Sequence, residues 1–197
     1  MSAYDLVVVG ASLGGVDALR AVLSELPDDF PPPLVVVQHR APDGDHSLAQ
    51  VLARSSQLPV REAGDGEELR GGTVYVAPAA YHVLAEPGLL RLSVEGPVSY
   101  ARPSIDVLFQ SAAEAYGPKL AAILLTCSSE DGAAGIAAVA ARGGLTIVED
   151  PASAVSGVAG QLAIERTRVH HVLPLDRIAS ALTSAVVTRS AVGTGRG

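Results

Sequence analysis

Three residues of this chain have the types that nucleophilic catalysis needs, and each stands beyond the end of a short apolar run. Ser12 lies in Gly10-Ala11-Ser12-Leu13-Gly14-Gly15, directly after Leu6-Val7-Val8-Val9. A serine hydroxyl becomes a nucleophile only beside a base, and histidine is the usual one near neutral pH. His39 follows the run Leu34 to Val37. A carboxylate can then hold the imidazole tautomer and stabilise the imidazolium. Asp131 follows Leu120 to Leu125 after Thr126-Cys127-Ser128-Ser129-Glu130. Each residue also has an ordinary structural reading. Serine and aspartate are favoured helix caps, and a histidine can simply bond to a loop. Glu130 and Asp106 are rival acids, Glu130 being expected to point away because it is one residue earlier in the same turn.

The first motif has two readings. Small residues at Ala11, Gly14 and Gly15 let a tight strand–Ser–helix turn expose the Ser12 hydroxyl, with helix-start amides facing a developing oxyanion. The alternative is a dinucleotide loop, which needs glycine at the third position and an acid after the next strand. Here the third position is Ser12, and Gln38-His39-Arg40 follows Val37. The order Ser–His–Asp also differs from the Ser–Asp–His order of α/β-hydrolases, so that fold is disfavoured.

The positioning elements read as an alternation. Strands are expected at Leu6–Val9, Leu34–Val37, Thr73–Ala77, Leu120–Leu125, Leu145–Val148 and Val169–Leu173. Helical spacing runs from Val16 to Leu26, and further helices are expected over about 47–55, from Pro103 to Tyr116, from Asp131 to Gly143, and after a capping Asp176. His82–Ala85 and Leu89–Ser93 flank Pro87-Gly88 as a hairpin. The expected fold class is α/β: a doubly wound, mostly parallel sheet with helices on both faces and one antiparallel hairpin. Ligands meet such sheets at the carboxyl ends of the strands, where Ser12, His39 and Asp131 fall.

The totals bound the function. A chain of 197 residues, 48% hydrophobic, suits one packed domain, expected over residues 1–187 with a loose tail at 188–197. The net charge of −7 argues against a nucleic-acid partner. Cys127 is the single cysteine, so no internal disulfide forms. No signal-peptide start and no apolar run near the roughly 18 residues of a membrane span is present, so a cytoplasmic protein without membrane insertion is expected. His46, His82, His170 and His171 show no zinc spacing, and no metal or organic cofactor is expected.

Several blocks in order resemble the catalytic domain of the chemotaxis protein-glutamate methylesterases, the CheB family, over roughly Tyr4 to Leu182. They are Gly10 to Gly15, Gln38-His39, Gly71 to Pro78, Arg102-Pro103-Ser104-Ile105-Asp106-Val107-Leu108-Phe109 and Asp131-Gly132-Ala133-Ala134-Gly135. The resemblance implies hydrolysis of γ-glutamyl methyl esters on methylated chemoreceptor-type proteins, with glutamine deamidation at the same site. It puts the nucleophile on Ser12, the base on His39, the orienting acid on Asp131, and oxyanion or substrate contacts at Leu13, Ser128 and Ser129. The chain departs from the family in the loop 127–130, where the family carries glycines at the positions of Cys127 and Ser129. If those positions need positive φ, the substitutions are strained and turnover is expected to be slow. Gly157-Val158-Ala159 stands where the family has Gly-Met-Pro. The family's N-terminal receiver domain has no counterpart before the first strand, so control by a separate receiver-domain protein is the matching expectation. The competing readings are a non-catalytic interaction module that retains the fold and the nucleotide-binding domain.

Overall fold

Runs of valine, leucine and isoleucine that alternate between two faces make strands buried on both sides. In β1 (Leu6–Ala11), Leu6 and Val8 face one core, and Val7, Val9 and Ala11 the other. The computed structural model describes residues 3–41 and 48–192, and in it β1 is central. β1 pairs in parallel with β2 (Leu34–Gln38) on one side and β7 (Leu120–Leu124) on the other. β4 (Val74–Val76) and the edge strand β3 (Val60–Glu62) continue beyond β2. β8 (Leu145–Glu149) and β9 (His171–Leu173) continue beyond β7. The seven-stranded order is β3-β4-β2-β1-β7-β8-β9.

Helices cover both faces. α1 (Gly15–Ser24), α2 (Leu48–Ala53) and α6 (Leu175–Val192) enclose one core with Leu19, Val22, Val36, Ile123 and Leu182. α3 (Ile105–Tyr116), α4 (Ala133–Ala141) and α5 (Val158–Arg166) enclose the other with Val35, Phe109, Leu124, Ile136 and Val148. Each fully buried valine or leucine contributes about 1.5–3 kcal/mol relative to exposure. The chain winds outward from β1 in both directions, so β1 is a switch point with a crevice at its carboxyl end. The expected hairpin, β5 (His82–Glu86) and β6 (Leu89–Ser93), is a separate two-stranded sheet packed beside α3.

Five elements differ from the expected ones. β3 and α5 were not expected. α3 begins at Ile105 with Ser104 as its cap, two residues after Pro103. α4 begins at Ala133 after Gly132, whose φ of 100° stops Asp131 from opening the helix. α6 includes Asp176 in its first turn and runs to Val192, so residues 188–192 of the expected tail are helical; no glycine or proline intervenes before Gly193. Residues 193–197 and His46 lie outside the described residues. Among the described residues no helix is long and apolar enough to cross a membrane, and no group of His, Cys, Asp and Glu could hold a metal ion.

Candidate active site

The turn after β1 is pinned from three directions. The Ser12 amide donates to the Thr126 carbonyl at 2.8 Å, joining it to the end of β7. The Thr126 hydroxyl donates to the Leu13 carbonyl at 2.8 Å and accepts from the Ser156 amide at 2.9 Å. The Gln38 side-chain amide donates to the carbonyls of Ser12 and His39 at 2.8 and 2.9 Å, so one buried side chain binds the two turns together. Glu149 in turn accepts the Thr126 amide at 2.8 Å, and burial pushes its carboxyl up. Gly14, at φ 76°, is the cap residue of α1, and no side chain caps that helix. The capping reading of Ser12 therefore does not hold, and its hydroxyl is left for other work.

That hydroxyl meets His39. Nδ1 of His39 is 3.2 Å from Ser12 Oγ, and Nε2 is 2.7 Å from Asp131 Oδ2. Residues 27 and 92 positions apart in sequence meet here. An ionised carboxylate can only accept, so Nε2 carries the proton toward Asp131 and the Nδ1 lone pair faces Ser12. The two ring nitrogens are used in the reverse sense to the serine proteases, where Nε2 faces the serine.

Asp131 is fully buried. Its Oδ1 accepts from Ser104 Oγ at 2.8 Å and the Asp106 amide at 2.9 Å; its Oδ2 also accepts from the Ile105 amide at 2.7 Å. The aspartate caps a helix, as residues of its type do, but the helix is α3 and not its own. Burial alone would push this carboxyl up. The hydrogen bonds from His39, the Asp106 and Ile105 amides and Ser104 together hold it below the usual carboxylate range. The rival acids go elsewhere. Glu130 pairs with Arg166 at 3.4 Å, and Asp106 Oδ1 accepts the amides of Gly132 and Gly135 at 2.9 and 2.6 Å. Burial, with the nearby charge of Asp131, pushes Asp106 up to about 6 against those amides and Arg166.

Ser12, His39, Ser128 and Ser129 line one cleft of about 470 Å³, whose far wall is Ser99 to Pro103. Leu13 is exposed at the turn. Among the described residues, the amides of Leu13 and Ser128 donate no hydrogen bond, as an oxyanion donor requires before substrate arrives. Ser129 turns its hydroxyl back on its own loop, accepting from the Asp131 amide at 3.3 Å. The loop is stitched to the start of α5 by Cys127, whose amide donates to Ser156 and whose carbonyl accepts from Ala159. None of residues 127–130 is among the positive-φ residues, so the strain expected from replacing glycine does not arise.

Sequence reasoning gave no role to Gln38, Ser104, Thr126 or His82. His82 is buried; its Nδ1 accepts the Ser104 amide at 3.2 Å and its Nε2 donates to the Gly96 carbonyl at 3.0 Å, which fixes the residue that bonds Asp131. Among the described residues the other histidines stand apart: His170 bonds Thr146, and His171 is exposed on β9.

The family model of the CheB methylesterases matches residues 7–182. The chain belongs to the CheB methylesterase family. A protein-glutamate methylesterase/protein-glutamine glutaminase of Anaeromyxobacter dehalogenans is 48% identical over 90% of this chain and 52% of its own length. A Leptospira interrogans protein, named provisionally for the same two activities, is 40% identical over 89% of this chain and 92% of its own length. The solved CheB methylesterase catalytic domain of Thermotoga maritima superposes with a TM-score of 0.88 at 37% identity, covering 93% of this chain and 99% of that one. Membership of the CheB family displaces the dinucleotide-binding reading of Gly10 to Gly15.

Proposed function

We propose that this chain hydrolyses γ-glutamyl methyl esters on a methylated chemoreceptor-type protein, using Ser12 as nucleophile, His39 as base and Asp131 as orienting acid. The observation that carries the reading is the contact chain Ser12–His39–Asp131 at the switch point of a CheB-family sheet. Ser12 Oγ attacks the ester carbonyl while His39 Nδ1 takes its proton. The oxyanion is held by the amides of Leu13 and Ser128, which face no competing acceptor. His39 returns the proton to the departing methoxide, and methanol leaves. Water, deprotonated by His39, then attacks the acyl-Ser12 ester and frees the glutamate. The same sequence on glutamine expels ammonia, in keeping with the second activity in the relatives' names.

The chain itself, over residues 1–187, supplies every group this chemistry uses, and the reading needs no metal. On this reading the substrate side chain belongs to a chemoreceptor-type protein, and the protein works in the cytoplasm. Any receiver-domain control acts outside these residues.

The test is methanol release from a methylated receptor fragment, with Ser12→Ala alongside. The expected result is methanol release by the wild-type chain and a loss of nearly all of it in the variant. Turnover surviving Ser12→Ala would move the chemistry elsewhere. No methanol release, with the fragment still bound, would make the chain a non-catalytic interaction module.

A further inference from the structure

Asp106 takes no part in the chemistry proposed above, yet it lies against the residue that orients His39. The starts of α3 and α4 lie side by side and exchange carboxylates. Asp131, two residues before α4, accepts the amides of Ile105 and Asp106 at the start of α3. Asp106, in the first turn of α3, accepts the amides of Gly132 and Gly135 at the start of α4. Hydrogen bonds thus run both ways between Asp106 and the segment 131–132. The Asp131 side chain is held at its tip and its backbone is held one peptide further on. Gly135 allows the approach: a Cβ there would lie 3.0 Å from Asp106 Oδ1 and 2.6 Å from Phe109 Cβ.

Two nearly inaccessible carboxylates, 0% and 7% exposed, are an expensive pair to keep together. The charged and titratable groups around them are Arg166 of α5, itself shared with Glu130, His39 beyond β2, and His82 through Ser104. Arg166 is partly exposed and pairs with Glu130, and the group that becomes a cation during attack, His39, touches the pair through Asp131.

We propose that Asp106 is a positioning residue for catalysis: it locks the turn that carries Asp131, and its charge beside Asp131 strengthens the hold on the proton that His39 takes from Ser12. This inference rests on the esterase reading for its rate effect alone. The tendency of Asp106 to titrate near 6 agrees with a charge that the fold disfavours and the site uses.

Asp106→Asn separates charge from shape, since the amide oxygen can still accept from Gly132 and Gly135. In the full chain, kcat on the methylated fragment should fall roughly tenfold with KM nearly unchanged, because the lost term acts as charge develops. The His39 titration, followed by NMR without substrate, should move to lower pH by about half a unit or more. The melting temperature at pH 8 should hold or rise, since a buried charge has gone. Asp106→Ala, which loses both parts, should be slower still and should melt lower. An unmoved His39 titration with wild-type kcat in Asp106→Asn overturns the inference. So does a lost kcat accompanied by a lower melting temperature and an unmoved His39, which is the mark of a purely structural residue. Because the His39 titration needs no ester, failure of the esterase reading would leave it standing as a separate result.

Discussion

The starts of α3 and α4 are built from the same parts and shift their carboxyls in opposite directions. Each has a buried aspartate from the other segment accepting backbone amides, and each gains from the positive end of the helix it caps. Asp131 has in addition the imidazole of His39 and the hydroxyl of Ser104, and it is held below the usual carboxylate range. Asp106 has two amides and the charge of Arg166 against its burial and the charge of Asp131, and it is pushed up to about 6. The helix end is therefore not enough to hold a buried carboxyl down to the ordinary carboxylate range. A hydrogen bond from a group that can become a cation makes the difference, and that group is the base proposed for the reaction.

The comparison breaks most sharply at Asp131. Asp131→Asn keeps the shape but removes the charge and offers His39 Nε2 a donor or a weaker acceptor. Steady-state kinetics on the methylated fragment should show kcat lowered by about 10³–10⁴, the size of effect found when the orienting acid of a serine protease is neutralised. A drop no larger than that of Asp106→Asn would mean that the two aspartates are equivalent.

The next effect is on stability, and the two aspartates act with opposite sign. Asp131 has a depressed folded value, so its contribution is present above the ordinary carboxylate range and is lost as pH falls through the folded value. Asp106 has a raised folded value, so its contribution is present below the unfolded value near 3.9 and is lost as pH rises through about 6. Denaturant melts of wild type and Asp106→Asn from pH 4 to 8 should show wild type losing on the order of 2–3 kcal/mol relative to the variant up to about pH 6, and nothing further above it. Parallel curves would remove the charge difference drawn here.

The smallest effect is expected at Ser104, which donates to Asp131 and caps α3. Ser104→Ala should cost about 1 kcal/mol in chemical denaturation and lower kcat several-fold. A variant with wild-type stability and rate would leave the backbone amides as the whole support of Asp131.

Much of this arrangement was legible in the chain. Ser12 and His39 could be paired across 27 residues because strand order places both at carboxyl ends. What escaped was what distance in sequence hides. Gln38 could be read as the end of a strand, but its bonds to Ser12 and His39 depend on how two turns face each other. Asp131 carried the ordinary signal of a helix cap, and only the packed structure shows that the helix is α3. α5 escaped because its buried face is Ala159, Gly160 and Ala163, too small to make an apolar stripe. β3 escaped because it is a three-residue, half-exposed edge. The strain argument for residues 127–130 rested on glycine positions alone, and the backbone there takes no positive φ.

The most direct measurement of the proposed chemistry is on Ser12 itself. The protein would be mixed with a methylated receptor fragment, quenched within the first turnovers, digested and examined by mass spectrometry. The expected result is a glutamyl ester on the peptide that contains Ser12, absent from Ser12→Ala and accompanied by one methanol per acylated chain. Methanol released with no adduct on Ser12 in either protein, or an adduct on another residue, would contradict it.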